Sequence, residues 1–180
     1  MIELLHDIMK EITDVLDMVE EEQLTTFMSF IKKENRILVE GEGRSGLQAK
    51  GFAMRLMHLG YTVFVVGDTI TPALKEEDIF IAISGSGESD NVLSSTKKAI
   101  KSGCTVLSVT SKPSSSIASL ANSVLVVPGT VRAEKGEDRR SIQLLSTLFD
   151  QTLHIVLDTI CLLISRRDHL SNEEVTKKHW

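Results

Sequence analysis

Cysteine is scarce in this chain of 180 residues, which contains only two. Cys104 and Cys161 lie inside apolar runs, without the paired spacing of a disulfide framework or a zinc site. We therefore expect two buried, reduced thiols, as in proteins of the reducing cytoplasm, and no bound metal.

An excess of basic residues is also missing, because 20 lysines and arginines stand against 25 acidic residues and give a net charge of −5. Nucleic-acid binding needs a basic face, so this balance argues against such a partner. The first residues lack the basic start and apolar core of a signal peptide. The longest apolar segment, 142–164, carries charged residues in its middle, so we expect a buried helix and no membrane partner.

The sequence does contain a regular alternation of short apolar runs and helical patterns. Residues 1–34, which include no glycine or proline, predict two amphipathic helices. Strands are predicted at 36–41, 62–67, 79–83, 104–110 and 123–127, with a helix after most of them. A long helix is predicted at 141–166, and Ser171 opens a short last helix.

This alternation predicts an α/β fold in which a five-stranded parallel sheet is covered on both faces, giving a three-layer sandwich. The length is that of one domain, which we expect to span residues 1–180. Within it we expect N-terminal helices at 1–34, a sheet core at 36–128 and C-terminal helices at 141–180.

A turn rich in serine and glycine follows the predicted third strand and leads into a helix. It contains Ser84, Gly85, Ser86, Gly87 and Ser89. The glycines allow a sharp turn with outward N–H groups, and the hydroxyls and the helix N-terminus add donors, so the pattern favours a phosphorylated small molecule. An ordinary N-capped strand-to-helix turn has the same composition.

The turn after the first strand reads Gly41-Glu-Gly43-Arg-Ser-Gly46, and the acidic Asp68 follows the second strand. Taken alone, this is a dinucleotide-binding fingerprint and predicts an oxidoreductase that uses NAD or NADP. Two phosphate-binding turns on adjacent strands instead suggest a crevice for a compact sugar phosphate at the carboxyl ends of the strands. In that case Arg44 and Ser45 face the same ligand.

The charged segment between Gly129 and Arg140 has no apolar period, so we expect either a mobile loop that closes over a ligand or a plain solvated loop. On the following helix, Asp150, His154 and Asp158 have metal-ligand spacing. No completing ligand stands elsewhere in the sequence, which favours an internal ion pair.

Four stretches together resemble the sugar isomerase (SIS) family, and within it the 6-phospho-3-hexuloisomerases. They are residues 43–60, 66–72, 84–89 and 146–152. The resemblance implies a flavodoxin-like fold and homo-oligomers, here a dimer of dimers. It also implies no cofactor, and interconversion of 3-hexulose 6-phosphate with fructose 6-phosphate through an enediol.

The resemblance also implies roles for single residues. Asp150 stands where these isomerases usually carry a glutamate, and is expected to be the catalytic base. His179 is similar to a C-terminal histidine that acts as acid or polariser and reaches a neighbouring subunit's pocket. The expected substrate-binding residues are Gly43, Arg44, Ser45, Ser84, Gly85, Ser86 and Ser89. A sugar-phosphate sensor without catalysis, or an isomerase for another phosphosugar, is the alternative.

Overall fold

Five apolar segments form one parallel sheet in the computed structural model, which describes residues 1–132, 134, 136 and 141–180. The strands are β1 (Arg36–Gly41), β2 (Thr62–Val65), β3 (Ile79–Ile83), β4 (Thr105–Thr110) and β5 (Ser123–Val126). Their spatial order is β2-β1-β3-β4-β5, the order of flavodoxin-like folds. The predicted α/β fold with a five-stranded parallel sheet is therefore confirmed.

Seven helices occur in the described part of the chain and cover both faces of the sheet. They are α1 (Ile2–Leu16), α2 (Glu21–Phe30), α3 (Gly43–His58), α4 (Asp90–Lys101), α5 (Ser116–Leu120), α6 (Thr147–Arg167) and α7 (Asn172–Thr176). Buried residues of α1, α2, α3 and α6 share one hydrophobic cluster, whereas those of α4 and α5 belong to a second one.

The strands separate these two clusters because successive side chains point to opposite faces of a sheet. On β1, Val39 belongs to the first cluster and Leu38 to the second. On β3, Ile81 and Phe80 divide in the same way. Apolar residues on both faces make these central strands read as continuous hydrophobic runs, as parallel strands between two helix layers do.

Helix α6 is long and apolar enough to cross a membrane by length and composition alone. It is instead a core helix, because ten of its residues are buried against the sheet and neighbouring helices. Leu153, Leu157 and Ile160 lie in the larger hydrophobic cluster. The prediction of a buried helix in this segment is confirmed.

The start of α6 differs from the prediction, since the helix begins at Thr147 rather than at Ser141. Leu145 has a φ of 52°, a left-handed conformation that a helix does not contain. Ser141 and the backbone N–H of Ile142 donate hydrogen bonds to the carboxylate of Glu11 on α1. The segment 141–146 is therefore a connection tied to the first helix, and apolar periodicity did not indicate this.

Candidate active site

The carboxyl ends of β1 and β3 form the base of a cleft. Gly41 and Ile83 are register partners there, and the chain continues from β1 to β2 on one side and from β3 to β4 on the other. Ligands of open α/β sheets bind at such a switch point. A cavity of about 480 Å³ opens at this point, within the size range of small-molecule sites.

Most of the predicted substrate-binding residues line this cavity. They are Gly43, Arg44, Ser45, Gly85, Ser86 and Ser89. They come from two turns that are 40 residues apart in sequence, Gly43–Ser45 and Gly85–Ser89, and the parallel pairing of β1 with β3 brings them together. The expected crevice between the two glycine turns is thus present in the geometry.

The turn from Ser84 to Ser89 is folded by its own polar groups. Ser84 is 3% exposed, lies 2.9 Å from Ser89 through the two hydroxyl oxygens, and accepts the Gly87 N–H at 3.1 Å. Gly87 has a φ of 67°, and a Cβ there would lie 1.9 Å from the Ser115 hydroxyl. Ser84 therefore lies beneath the turn, whereas Ser86 and Ser89 face the cavity.

Both helices that begin at the cleft have uncapped N-termini. Neither Ser89 at the start of α4 nor Glu42 at the start of α3 makes a side-chain capping bond. The N–H groups of the first turns have no partner within their helices, and they carry the positive end of the helix dipole. Two such termini facing one cavity form a site for an anionic group such as phosphate.

The glycines of the first turn have a packing role. A Cβ on Gly46 would lie 2.5 Å from the Gly41 carbonyl oxygen, so α3 approaches the end of β1 closely. Asp68 follows β2, is exposed, and lies 3.6 Å from the Lys50 ammonium group. The strand order is not the 3-2-1-4-5-6 order of dinucleotide-binding Rossmann sheets. Gly41 and Gly46 are thus explained by helix–strand packing, and Gly43 by its φ of 56°.

Asp150 lies in the first turn of α6 and is 0% exposed. Its Oδ1 accepts the Ser45 hydroxyl at 2.8 Å, and its Oδ2 accepts the Ser146 hydroxyl at 3.0 Å. The Arg44 Nε lies 3.4 Å from the same Oδ2. The carboxylate thus stands directly behind the wall of the cavity and holds together residues that line it.

Sequence reasoning missed four residues of the cavity wall, namely Glu42, Val131, Arg132 and Ser146. Glu42 stands inside the glycine motif, where its side chain carried no signal of its own. Arg132 lies in the charged segment 129–140, for which we expected either a loop that closes over a ligand or a plain solvated loop. Residues 133, 135 and 137–140 of that segment lie outside the described residues, so the closing motion stays a prediction.

Two glutamates near the cleft accept hydrogen bonds from neighbouring helices and do not face the cavity. The backbone N–H of Ser116 donates to Glu88 at 2.7 Å and lowers the pKa of this exposed carboxyl, which thereby supports the start of α5. Glu40 on β1 accepts a hydrogen bond from Ser95, but burial raises its pKa above the usual range. Neither residue lines the cavity.

The comparisons with known proteins agree with this geometry. A family model described as the SIS domain matches residues 30–155. This chain belongs to the SIS domain family. The predicted family is thereby confirmed, and the cleft lies within the matched residues.

Several relatives of this SIS domain have names that state an activity. The 3-hexulose-6-phosphate isomerase of Mycobacterium gastri is 35% identical over 169 residues, which cover 94% of this chain and 84% of that protein. The 3-hexulose-6-phosphate isomerase of Bacillus subtilis is 33% identical over 173 residues, covering 96% and 94%.

A solved structure of similar sequence has the same fold. It is a protein from Methanococcus jannaschii, for which the crystal structure at 2.0 Å resolution infers a function as 3-hexulose-6-phosphate isomerase. It is 30% identical to this SIS domain and superposes with a TM-score of 0.84, covering 99% of this chain and 98% of the other.

The C-terminal tail of the chain lies far from the cleft of the same chain. The ring of His179 stacks on that of His58 with centroids 5.2 Å apart, at the last residue of α3. Helix α3 has 16 residues and is therefore about 24 Å long, with the cleft at its other end. Burial lowers the pKa of His58, and Arg55 and His179 add to this effect. The two predicted catalytic residues are not brought together within one chain.

His154 does not belong to the cleft. Its Nε2 lies 3.4 Å from the Asp158 carboxylate, and both side chains are more than half exposed. The expected ion pair is therefore a surface contact rather than an internal one. Within the described ranges, 1–132, 134, 136 and 141–180, no cluster of three metal-ligating side chains occurs.

Proposed function

We propose that this chain is a sugar-phosphate isomerase that interconverts 3-hexulose 6-phosphate and fructose 6-phosphate in the cleft between β1 and β3. The observation that carries this proposal is the pair of uncapped helix N-termini that face one cavity together with serine hydroxyls. The relatives named above, at 33–35% identity over nearly the whole chain, support the choice of reaction.

In this proposal the phosphate is bound by the turn that opens α4. Ser86 and Ser89 donate hydroxyl groups, and the first N–H groups of α4 complete the site. Ser84 holds Ser89 in place from beneath. The sugar then extends toward Gly43, Arg44 and Ser45, where the guanidinium group and the N-terminus of α3 stabilise a developing oxyanion.

The isomerisation moves one proton between two carbon atoms. A base removes the proton from C2 of 3-hexulose 6-phosphate, an enediol forms between C2 and C3, and the proton returns to C3, while the hydroxyl proton passes from O2 to O3. No electron leaves the sugar, so we propose a reaction without a cofactor. Asp150 as the base and His179 as the acid, supplied by a neighbouring chain, stay predictions.

One observation favours the second candidate, a sugar-phosphate sensor without turnover. Both oxygens of Asp150 are engaged within the chain, and the residue is 0% exposed. A carboxylate in this state contacts a substrate carbon only after one of its hydrogen bonds breaks. The phosphate site would be unaffected, so such a chain would bind fructose 6-phosphate without converting it.

Exposed apolar side chains support the proposal of a homo-oligomer, a dimer of dimers. Leu5 and Met9 on α1 are each 57% exposed, and Ile142 and Leu144 in the neighbouring connection are 58% and 79% exposed. Glu11 of α1 bonds this connection, so the exposed apolar residues lie on two neighbouring segments of the chain. Exposed apolar surface marks interaction sites. We also propose that the protein is cytoplasmic and that its reaction belongs to the ribulose monophosphate pathway.

Turnover and binding together test the proposed function. The substrate 3-hexulose 6-phosphate is generated in situ, fructose 6-phosphate is followed by a coupled assay, and its binding is measured by calorimetry. We expect the wild type to turn over and the double variant Ser86→Ala/Ser89→Ala to bind at least tenfold more weakly.

The matched control is Ser119→Ala, an exposed serine on α5 whose hydroxyl bonds the Ser116 carbonyl outside the cleft. It should bind like the wild type. Binding without turnover in the wild type would establish the sensor instead. Unchanged affinity in the double variant would show that the phosphate does not bind at this turn.

A further inference from the structure

Among the residues that the structure describes, the wall of the cleft contains one carboxylate that a substrate can touch. Of the described residues that line the cavity, Glu42 alone is acidic, and it is exposed. Asp150 is 0% exposed and lies behind the wall. A base that removes a proton from carbon must come within contact distance of that C–H group in the substrate complex. Glu42 is therefore accessible to a substrate bound in the cleft, whereas Asp150 is not.

The backbone directs Glu42 away from its own helix. It stands between the last residue of β1 and the first of α3, in an extended conformation with φ −115° and ψ 154°. It occupies the N-cap position, yet its side chain accepts no N–H from α3. The carboxylate instead reaches across the cleft to α4, the helix that starts at the serine turn.

On α4, the Asn91 side chain holds this carboxylate. Its Nδ2 donates to the Glu42 Oε1 at 2.5 Å, while Oε2 has no partner among the residues that the structure describes. One oxygen is thus fixed by an amide, and the other is left for a ligand. A base with one oriented oxygen and one available oxygen has the positioning that proton transfer requires.

We infer that Glu42 is the catalytic base of the proposed isomerase and that Asp150 is a positioning residue. This inference rests on the proposed function. The Glu42 carboxylate takes the proton from C2, and the C2–H electron pair forms the C2=C3 bond as the C3 carbonyl becomes an enediolate. The protonated Glu42 then returns the proton to C3, while the O2 hydroxyl proton is transferred to O3.

Asp150 serves this step through the residues that it touches. Its two oxygens hold the hydroxyl groups of Ser45 and Ser146, and it lies 3.4 Å from the Arg44 Nε. The Arg44 side chain is 56% exposed and lines the cavity, while the Nε of its guanidinium group lies against Asp150. Asp150 thereby places a positive charge beside the oxygen on which negative charge develops.

The first test compares Glu42→Gln with Asp150→Asn. Fructose 6-phosphate is incubated with each protein in D₂O, and exchange of its C3 proton is followed by NMR alongside kcat and KM of the isomerase reaction. We expect Glu42→Gln to lower kcat and the exchange rate at least a hundredfold, since general acid–base catalysis contributes roughly 10²–10⁴. Its affinity for fructose 6-phosphate should stay within threefold.

We expect a different pattern for Asp150→Asn, because that change disturbs Arg44 and Ser45. KM should rise at least tenfold and thermal stability should fall, while C3 exchange stays measurable at saturating fructose 6-phosphate. Glu42 is exposed, so Glu42→Gln should fold with an unchanged melting temperature.

Glu20 offers a matched control. It is the N-cap of α2, has an extended conformation and makes no capping bond. It accepts an amide N–H from Gln23 at 2.8 Å and lines a different cavity with Asn122 and Ser123. Glu20→Gln should match the wild type in kcat and exchange.

The outcomes separate the inference from the proposed function. A wild type without turnover or exchange overturns the proposed function and the inference with it. An active wild type whose Glu42→Gln variant keeps kcat within threefold overturns only the inference. Loss of exchange in Asp150→Asn at unchanged KM would assign the base to Asp150 and also overturn it.

Discussion

Ser84→Ala is expected to lower stability and to weaken ligand binding by no more than about tenfold. The hydroxyl is 3% exposed and lies outside the cavity wall. Its removal deletes the hydrogen bond to the Ser89 hydroxyl at 2.9 Å. It also deletes one acceptor of the Gly87 N–H, which keeps its bond of 3.1 Å to the Ser84 carbonyl.

The magnitude follows from these two bonds. A buried intramolecular hydrogen bond contributes about 0.5–1.5 kcal/mol, and the second of the two is lost only in part because Gly87 keeps its other acceptor, so Ser84→Ala should cost about 1–2 kcal/mol. For a domain of this size that corresponds to a fall in Tm of about 2–8 °C. The freed Ser89 rotamer costs about 0.5–1.5 kcal/mol to fix again, which weakens binding of fructose 6-phosphate by about two- to tenfold.

Ser86→Ala is the contrasting variant. Its hydroxyl faces the cavity and, within the described part of the chain, accepts the Glu88 N–H alone, at a longer distance of 3.2 Å. We expect a Tm close to that of the wild type and a greater loss of affinity than in Ser84→Ala.

Thermal unfolding followed by circular dichroism, with calorimetric titration of fructose 6-phosphate, measures both quantities. The reasoning is refuted if Ser84→Ala melts like the wild type yet binds more than a hundredfold more weakly, because its hydroxyl would then contact the ligand.

Two further predictions concern a buried ion pair and the proposed interface between chains. Burial alone would raise the pKa of Asp78, but the hydrogen bonds that Arg36 and the Lys75 N–H donate outweigh it, so this pKa lies below its usual range. Asp78→Asn should therefore lower the free energy of unfolding by roughly 2–4 kcal/mol in urea at pH 7. Because the pKa of Asp78 is lower in the folded state than in the unfolded state, the ionised carboxylate stabilises the fold above the unfolded-state pKa, and this stabilisation is lost as the carboxylate is protonated in acid. The difference in unfolding free energy between the wild type and Asp78→Asn should therefore shrink below about pH 4. A difference that does not change with pH contradicts this prediction. Leu144→Asp should leave the melting temperature of the monomer unchanged and reduce the mass measured by light scattering, whereas an unchanged oligomer would exclude Leu144 from the interface.

The sequence was sufficient for the sheet and for the two turns because their signals are local. The runs at 37–39 and 79–83 are apolar on both faces, which is typical of parallel strands under two helix layers. The glycine and serine turns follow these strands directly. Once two parallel strands are neighbours, their carboxyl ends meet, so the cleft could be predicted from the same pattern.

Other features depend on contacts that the sequence pattern does not contain. Helix α6 starts six residues later than expected because Glu11, 130 residues away, binds the backbone of Ile142 and the hydroxyl of Ser141. Ser84 and Ser86 have the same residue type in one turn, yet only Ser86 lines the cavity. Glu42 lines the cleft and contacts Asn91 of α4, which lies in the helix layer on the opposite face of the sheet from α3.

The connection 141–146 links the surface to the cleft. At one end, Ile142 is bonded to Glu11 of α1 and, like Leu144, is exposed. At the other end, the hydroxyl of Ser146 holds Asp150, which in turn anchors Arg44. Only a few residues separate these ends, so a second chain packed on Leu144 would restrict the position of Ser146 as well. Because catalysis is sensitive to displacements of about 1 Å, assembly and turnover should then be coupled through this connection.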